Sequence, residues 1–385
     1  MRPLATLALS IGLALLGCKP SEPGTDPGDA SYRPITPPSD AIDAAPSASA
    51  VPSTPAQQAP RPVVLLAGGD VDLSRLTGQR ILESPDLDPF TAVRPWLSSA
   101  DLRFANLESQ LCDLGGMTVS EHNRLIFAGP PQGAPVLARA RFDVVSTANN
   151  HAWDFGLRCL EETITHLQRV GIRHVGTDAQ GKDPLRPVEI ESQGQRFAFF
   201  AVTGIFNHGR LRDHAAKAYI ADADMGALAR RILEVRPRVD RVIVSVHIGE
   251  EYMHVPIEAT RYALIGAADA GADLVLGHHT HTPQRVEFHK GVPVVMSLGN
   301  FVFHQHSDHP WTGWGYLARV TFPPKGPPAL EVCPYHLFDA APRRLTERQE
   351  AAFFQHWDQI SRAPHAGHRT QRSSDGCVPL HPPER

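Results

Sequence analysis

Leu274-Val-Leu-Gly-His-His-Thr-His281 is an apolar run that halts at Gly277 and gives way to three histidines in four residues. In an extended segment His279 and His281 face the same side. Two imidazoles held that way are a ready pair of metal ligands. Buried without a metal or an acid partner, they would be costly polar groups. A His-rich run in a chain with 20 histidines says little alone. Its weight comes from the rest of the sequence, which repeats one pattern: an apolar strand, then a metal-type side chain at its end.

The pattern recurs on both sides of this run. Val63-Val-Leu-Leu-Ala67 passes through Gly68-Gly69 into Asp70, and Asp101–Glu108 carries Asn106 and Glu108 at its end. Phe142–Thr147 is followed by Asn149-Asn150-His151 and Asp154, Arg241–Val246 by His247, and Val292–Leu298 by Gly299-Asn300. Helical periodicity lies between them, at Pro89–Ser99, Pro130–Ala140, Leu157–Val170, Asp222–Val235 and Pro256–Ala270. Strands alternating with helices predict an α/β domain with much parallel pairing. Ligands of such sheets bind outside the carboxyl ends of the strands. Trp314–Phe322 and Ala329–Leu337 read as two antiparallel strands, and Thr346 as the cap of a helix reaching about residue 361.

Composition sets the outer bounds. The 385 residues are 42% hydrophobic with a net charge of −4, which supports a large core and gives no basic field for nucleic acid. Residues 1–18 read as an export signal: Arg2, an apolar stretch Leu4–Leu16, then Leu15-Leu16-Gly17-Cys18, which resembles a bacterial lipobox. A lipidated Cys18 would tether the mature chain to a membrane, and Lys19 in place of Asp points to the outer membrane of a Gram-negative cell. Residues 19–62, rich in Pro, Ala and Ser, read as a disordered tether. The folded domain is expected over 63–363 and a disordered tail over 364–385. Cys112, Cys159, Cys333 and Cys377 are structural, with three pairings possible.

A set of Asp, Glu, Asn and several His suits Mn, Fe, Zn or a pair of them. Its size exceeds one tetrahedral site and suits two metals about 3.5–4 Å apart, bridged by a carboxylate. His151 beside Asn150 is a natural general acid, and Asp154 would orient its ring.

In order, Gly69-Asp70, Asn106-Leu-Glu108, Ala148-Asn-Asn-His-Ala-Trp-Asp154-Phe-Gly156, His247-Ile-Gly-Glu-Glu-Tyr252, Gly277-His-His-Thr-His281 and Ser297-Leu-Gly-Asn-Phe-Val-Phe303 resemble the CapA/PgsA-type poly-γ-glutamate capsule-synthesis proteins. These are a branch of the calcineurin-like metallophosphoesterase superfamily. The resemblance covers roughly residues 63 to 340. It implies a four-layer αββα sandwich of two mixed sheets flanked by helices, with a dinuclear centre of two divalent ions. It gives Asp70 and His281 to the first metal, Asn150, His247 and His279 to the second, and Glu108 to the bridge. His151 matches the general acid, and Asn300 and Glu250 match positions of unassigned role. Four departures stand out: Asp72 occupies the His of the usual Asp-x-His, Glu108 replaces Asp, Ile248 replaces Trp, and Thr280 replaces Pro. His304, His306, Asp308 and His309 form a second polar cluster, read as a surface loop, with lining of the pocket as the alternative.

Two functions lead this reading, ahead of a structural lipoprotein whose metal site only stabilises the fold. One is an exported, lipid-anchored hydrolase of the phosphoesterase type, acting on a phosphoester or on anionic polymer in capsule or envelope assembly. The other is a non-catalytic, metal-containing surface component that binds an anionic polymer during its assembly or export.

Overall fold

Seven consecutive buried residues, Arg241–His247, form the spine of the second of the two large sheets. The computed structural model describes residues 59–305, 308–360 and 373–382. The leader, Cys18, nearly all of the tether and His306 lie outside the described residues. Among the described residues no helix is long and apolar enough to cross a membrane.

The first half runs β1 (Val63–Val71), α1 (Arg75–Glu83), α2 (Arg94–Ser98), β2 (Leu102–Leu107), β3 (Gln110–Leu111) and β4 (Ala128–Gly129). It continues with α3 (Gly133–Arg139), β5 (Val144–Ser146), α4 (Gly156–Arg169), β6 (Arg173–Val175), β7 (Val188–Ser192) and β8 (Gln195–Thr203). Then come α5 (Met225–Val235), β9 (Arg241–His247), α6 (Glu258–Asp269), β10 (Leu274–His278), β11 (Val286–His289) and β12 (Val292–Val295). The chain closes with β13 (Asn300–Val302), β14 (Trp314–Phe322), β15 (Ala329–Phe338), β16 (Ala341–Arg344), α7 (Glu347–Ile360) and β17 (Val378–Leu380).

The first sheet has the order β16-β15-β14-β1-β2-β5-β6, with β13 on β1 and β17 on β15. The second has the order β11-β12-β10-β9-β8-β7. β1, β2, β5 and β6 run parallel, as do β8, β9, β10 and β12. Antiparallel β14, β7 and β11 make both sheets mixed.

The two-residue period of a strand sorts its side chains into two layers. Leu65, Phe199 and Ile243 meet in a core between the sheets, with Phe104 and Leu276. Their neighbours Leu66, Phe200 and Val244 face outward. Leu66 packs with Ile81, Trp96, Leu137 and Leu167 of α1–α4, and Phe200 and Val244 pack with Leu228, Ile232 and Leu264 of α5 and α6. The result is the αββα sandwich of two mixed sheets. Two helix starts are capped by side chains, at α5 and α7: the Asp224 side chain accepts from Ala227 N (2.9 Å). Thr346 N donates to Gln349 Oε1 (3.0 Å) while Gln349 N returns to Thr346 Oγ1 (3.4 Å).

One expectation is overturned here. Part of the stretch read as a disordered tail is ordered: β17 pairs antiparallel with β15, and Cys377 is bonded to Cys333. Cys377, Val378 and Leu380 are buried, a contribution too short to register against the polar, proline-rich composition around it. The other disulfide joins Cys112 to Cys159 on α4.

Candidate metal centre

Parallel strands of both sheets end at one place. Asp70 is in register with Asn106 on one side and Asn300 on the other, and His247 is in register with His278 across β9 and β10. The approach to Asp70 requires Gly69, because a Cβ there would stand 1.8 Å from the Gly299 carbonyl oxygen. That carbonyl accepts the Asp70 N–H (3.0 Å), so the strand bulges just before its functional residue.

β10 stops at His278, and His279 and His281 take left-handed backbone angles, with φ of 94° and 58°. The extended segment expected for them is therefore a turn. Both imidazoles still reach the centre, with ring centroids 6.1 Å apart. A left-handed backbone is unfavourable for residues with a Cβ and persists only where the surroundings over-determine it. One such restraint is the His279 N–H, which is bonded to Asp70 Oδ2 (3.2 Å).

All six residues expected as ligands lie together. Asp70, Glu108 and His281 form one set of potential donors and Glu108, His247 and His279 another, the donor atoms of each set lying within 4.8 Å of one another. Glu108 is common to both. Asn150 Oδ1 is 2.8 Å from His247 Nε2. His151 Nδ1 is 2.8 Å from Asp154 Oδ2, which also accepts the Phe127 N–H (2.9 Å). Asn300 Oδ1 meets His281 Nδ1 at 2.9 Å, which fixes that ring. Glu250 is exposed. Glu251 beside it bears electrostatically on Glu108, His279 and His281.

Three contributors were given no role at the centre by the sequence reading, although Asn106 was named there as a strand-end residue. His278 Nδ1 lies 3.2 Å from Asp70 Oδ1, although its place in the His run was a signal for it. Asn106 Nδ2 donates to Asp70 Oδ1 (2.9 Å) and lies 3.2 Å from His247 Nδ1, so it does more than end a strand. Asn207, in a loop after β8, accepts from Asn150 Nδ2 (3.0 Å); nothing local marks it. His304, Asp308 and His309 line a cleft of about 710 Å³ together with His151 and His281. Asp308 and His309 are exposed, as the surface-loop reading expects, and the cluster also lines the cleft, as its alternative expects. His309 stacks on Tyr252 at 3.9 Å.

The electrostatics suit a cation. Burial pushes the Glu108 carboxyl well above its usual range, helped by the charges of Asp70, Asp72 and Glu251. Burial also opposes charge on Asp70, but the His278 hydrogen bond and the surrounding imidazoles hold its pKa below the ordinary carboxylate value. Burial lowers His279 to about 4 and depresses His247 and His281 as well, so at neutral pH these rings are uncharged and offer lone pairs. Both Glu108 oxygens, His279 Nδ1 and His278 Nε2 are buried with no hydrogen-bond partner. Buried polar atoms left without partners beside the two donor groups are the expected lining of a cation site.

These features define an αββα protein with two candidate metal-binding groups that share Glu108. Residues 64–305 match the family described as Bacterial capsule synthesis protein PGA_cap, and the chain belongs to that family. It is 27% identical over 281 residues to the PGA biosynthesis protein CapA of Bacillus subtilis (strain 168), covering 71% of each chain. It is 28% identical over 267 residues to the capsule biosynthesis protein CapA of Bacillus anthracis, covering 67% of this chain and 63% of that protein. Among solved structures, Haemophilus influenzae NAD nucleotidase (NadN) overlays with a TM-score of 0.41 at 12% identity, over 78% of this chain and 56% of that one.

Proposed function

We propose that the chain is a metal-dependent hydrolase of the phosphoesterase type, exported and lipid-anchored through Cys18, that acts on a phosphoester or anionic polymer during capsule or poly-γ-glutamate assembly. The observation that supports it most is Glu108, one buried acid common to two donor sets, beside the His151–Asp154 pair at the cleft. Asp70, Glu108 and His281 would hold one ion, and Glu108, His247, His279 and Asn150 the other. The mixed oxygen and imidazole donors suit Mn, Fe or Zn. Bound there, the ions would supply an activated water and polarise a substrate oxygen.

The chain's own residues supply the rest. Asp154 accepts the Nδ1 proton of His151, which leaves Nε2 to carry the proton a leaving oxygen needs. Asp154 is itself fixed by the Phe127 N–H, so the ring has one orientation. The Asn149 side chain accepts the His151 N–H (3.1 Å) and donates to the Leu107 carbonyl (2.8 Å), tying the proton donor to β2 and hence to Glu108.

One observation favours the second reading, a metal-containing component that binds anionic polymer without cleaving it. Asp72, at the position of the usual ligand histidine, spends Oδ1 on the Ser74 N–H (2.8 Å) and hydroxyl. His151→Ala separates the two. With a generic aryl phosphate and Mn²⁺, a hydrolase loses turnover by about 10²–10⁴-fold while its metal content, measured by elemental analysis, stays unchanged. No turnover in either protein, with equal polymer binding, rejects the hydrolase.

A further inference from the structure

Arg75 opens α1, and its guanidinium has no hydrogen bond or ion pair with any other residue among those described. It is nonetheless held in place. Its central carbon lies 4.0 Å from the centroid of the Phe127 ring and 5.9 Å from that of Phe303. Phe127 also stacks on His151, at 4.0 Å. The Arg75 backbone is left-handed, with φ of 48°. Two bonds lock it: Arg75 N donates to the Thr118 carbonyl (3.0 Å), and Thr118 Oγ1 donates to the Arg75 carbonyl (2.9 Å). Gln79 Nε2 in turn donates to Thr118 Oγ1 (2.9 Å). Conformations of this kind survive where the surroundings over-determine them, and they gather at ligand sites.

A guanidinium lying on a phenyl face has its π surface satisfied, while its five N–H donors project in its own plane. Among the described residues those donors have no acceptor, and the side chain lines the same cleft as His151, His281, Tyr252 and Arg124. Arg124 is exposed and likewise has no ion pair among the described residues. One phenyl ring thus carries both the proton donor and an unspent cationic fork.

We propose that Arg75 is an anion-binding residue of this cleft, taking two oxygens of a substrate phosphoryl or carboxylate group while the ligand lies against His151. The proposal rests on the cleft being the substrate site of the reading above. Anion binding, however, is measurable whether or not turnover occurs.

The test uses full-length, Mn²⁺-loaded protein and its Arg75→Ala and Arg75→Lys variants. Metal content and thermal midpoint are measured first, then the binding of inorganic phosphate and of glutarate by calorimetry. Loss of a charge-assisted pair should weaken the preferred anion by roughly 10–100-fold in Arg75→Ala, with metal content retained. Arg75→Lys, which keeps the charge but not the fork, should recover only part of it. Added guanidinium ion should restore binding to Arg75→Ala. Loss for phosphate alone identifies a phosphoryl ligand, and loss for glutarate alone a carboxylate; either supports the role. Unchanged affinity for both anions, or a loss of metal in parallel with the anion, overturns it. Should Arg75→Ala fail to fold, Arg75→Lys and Arg75→Gln carry the same comparison. Absence of turnover in every form, with the anion loss intact, defeats the hydrolase and leaves Arg75 as the anion site.

Discussion

Replacing Glu108 by Gln should invert the stability order of the protein when metal is added. Both oxygens of Glu108 are buried without a partner, and the carboxyl is surrounded by Asp70, Asp72 and Glu251. An unsatisfied buried group costs about 1–3 kcal/mol, and more when charged. Gln carries neither the buried charge nor the cost of holding a proton above the usual carboxylate range, so the metal-free variant should be more stable by about 1–3 kcal/mol near neutral pH, or about 2–6 °C in Tm for a domain this large. With metal at a hundredfold excess over Kd, the natural protein gains about 2.7 kcal/mol per site. Glu108→Gln weakens the shared anionic ligand of both sites and should gain little. Calorimetric melting after chelation, then with Mn²⁺, reads both differences. The sign with pH follows from the raised carboxyl. Because the folded state binds its proton more tightly than the unfolded state, metal-free stability falls as pH rises through the folded-state pKa. The gap between variant and natural protein should therefore be absent below the usual carboxylate value of 4.5 and widen with pH. A metal-free variant less stable than the natural protein at pH 8, or equal metal increments in the two proteins, refutes the reasoning.

Two further outcomes follow from single contacts. Asn300 accepts the His281 ring N–H at 2.9 Å, and loss of such an orienting partner typically weakens a metal by about 10–100-fold. Asn300→Ala should do so at one of two sites, so a calorimetric titration that is homogeneous and unchanged counts against the two-set arrangement. Removing the Cys333–Cys377 bond by Cys→Ser at both positions should cost about 2–5 kcal/mol. Hydrogen exchange should show β17 losing protection while β1 and β9 keep theirs.

The strand ends were legible because parallel α/β topology places ligand-type side chains where apolar runs stop, and these runs stop at Asp70, Asn106, His247 and His278. Less legible were the hairpins. β7–β8 turns through Gln193 and Gly194, with φ of 50° and 76°, β11–β12 through Lys290 and Gly291, and β15–β16 through Asp339 and Ala340. All three have paired positive φ, the mark of the turn that matches strand twist, but none carries the Asn-Gly or Asp-Gly signal. The geometry of the His279–His281 turn was also beyond sequence reading, since it depends on Asp70, more than 200 residues away. Arg75 and Asn207 were invisible for a different reason: each acts through a neighbour distant in the chain, Phe127 and Asn150.

Asp72 shows how a change of residue type at one position can alter what the position does. A histidine there would offer a neutral donor to the first cation set. The aspartate is fully buried, with Oδ1 engaged by Ser74 and Oδ2 unpartnered. Its N–H is bonded to the Val302 carbonyl (2.7 Å), so it is anchored to β13 while its side chain holds the turn that leads into Arg75. Burial raises its pKa, and Arg75 and His151 are among the groups that pull it back. Asp70, Asp72 and Glu108 thus gather buried acidic groups beside His247, His279 and His281, whose pKa values burial lowers. An uncompensated cluster of that kind is expensive to bury, and removing charges by protonation or balancing them with cations are the two ways to relieve it. The raised carboxyl of Glu108 is the first remedy in the metal-free protein; the two donor sets that share it are what the second requires. In the proposed centre Asp72 would leave the first set as Asp70, Glu108 and His281, in which oxygen donors outnumber nitrogen and harder ions would be favoured, while His247 and His279 would keep the other set suited to zinc.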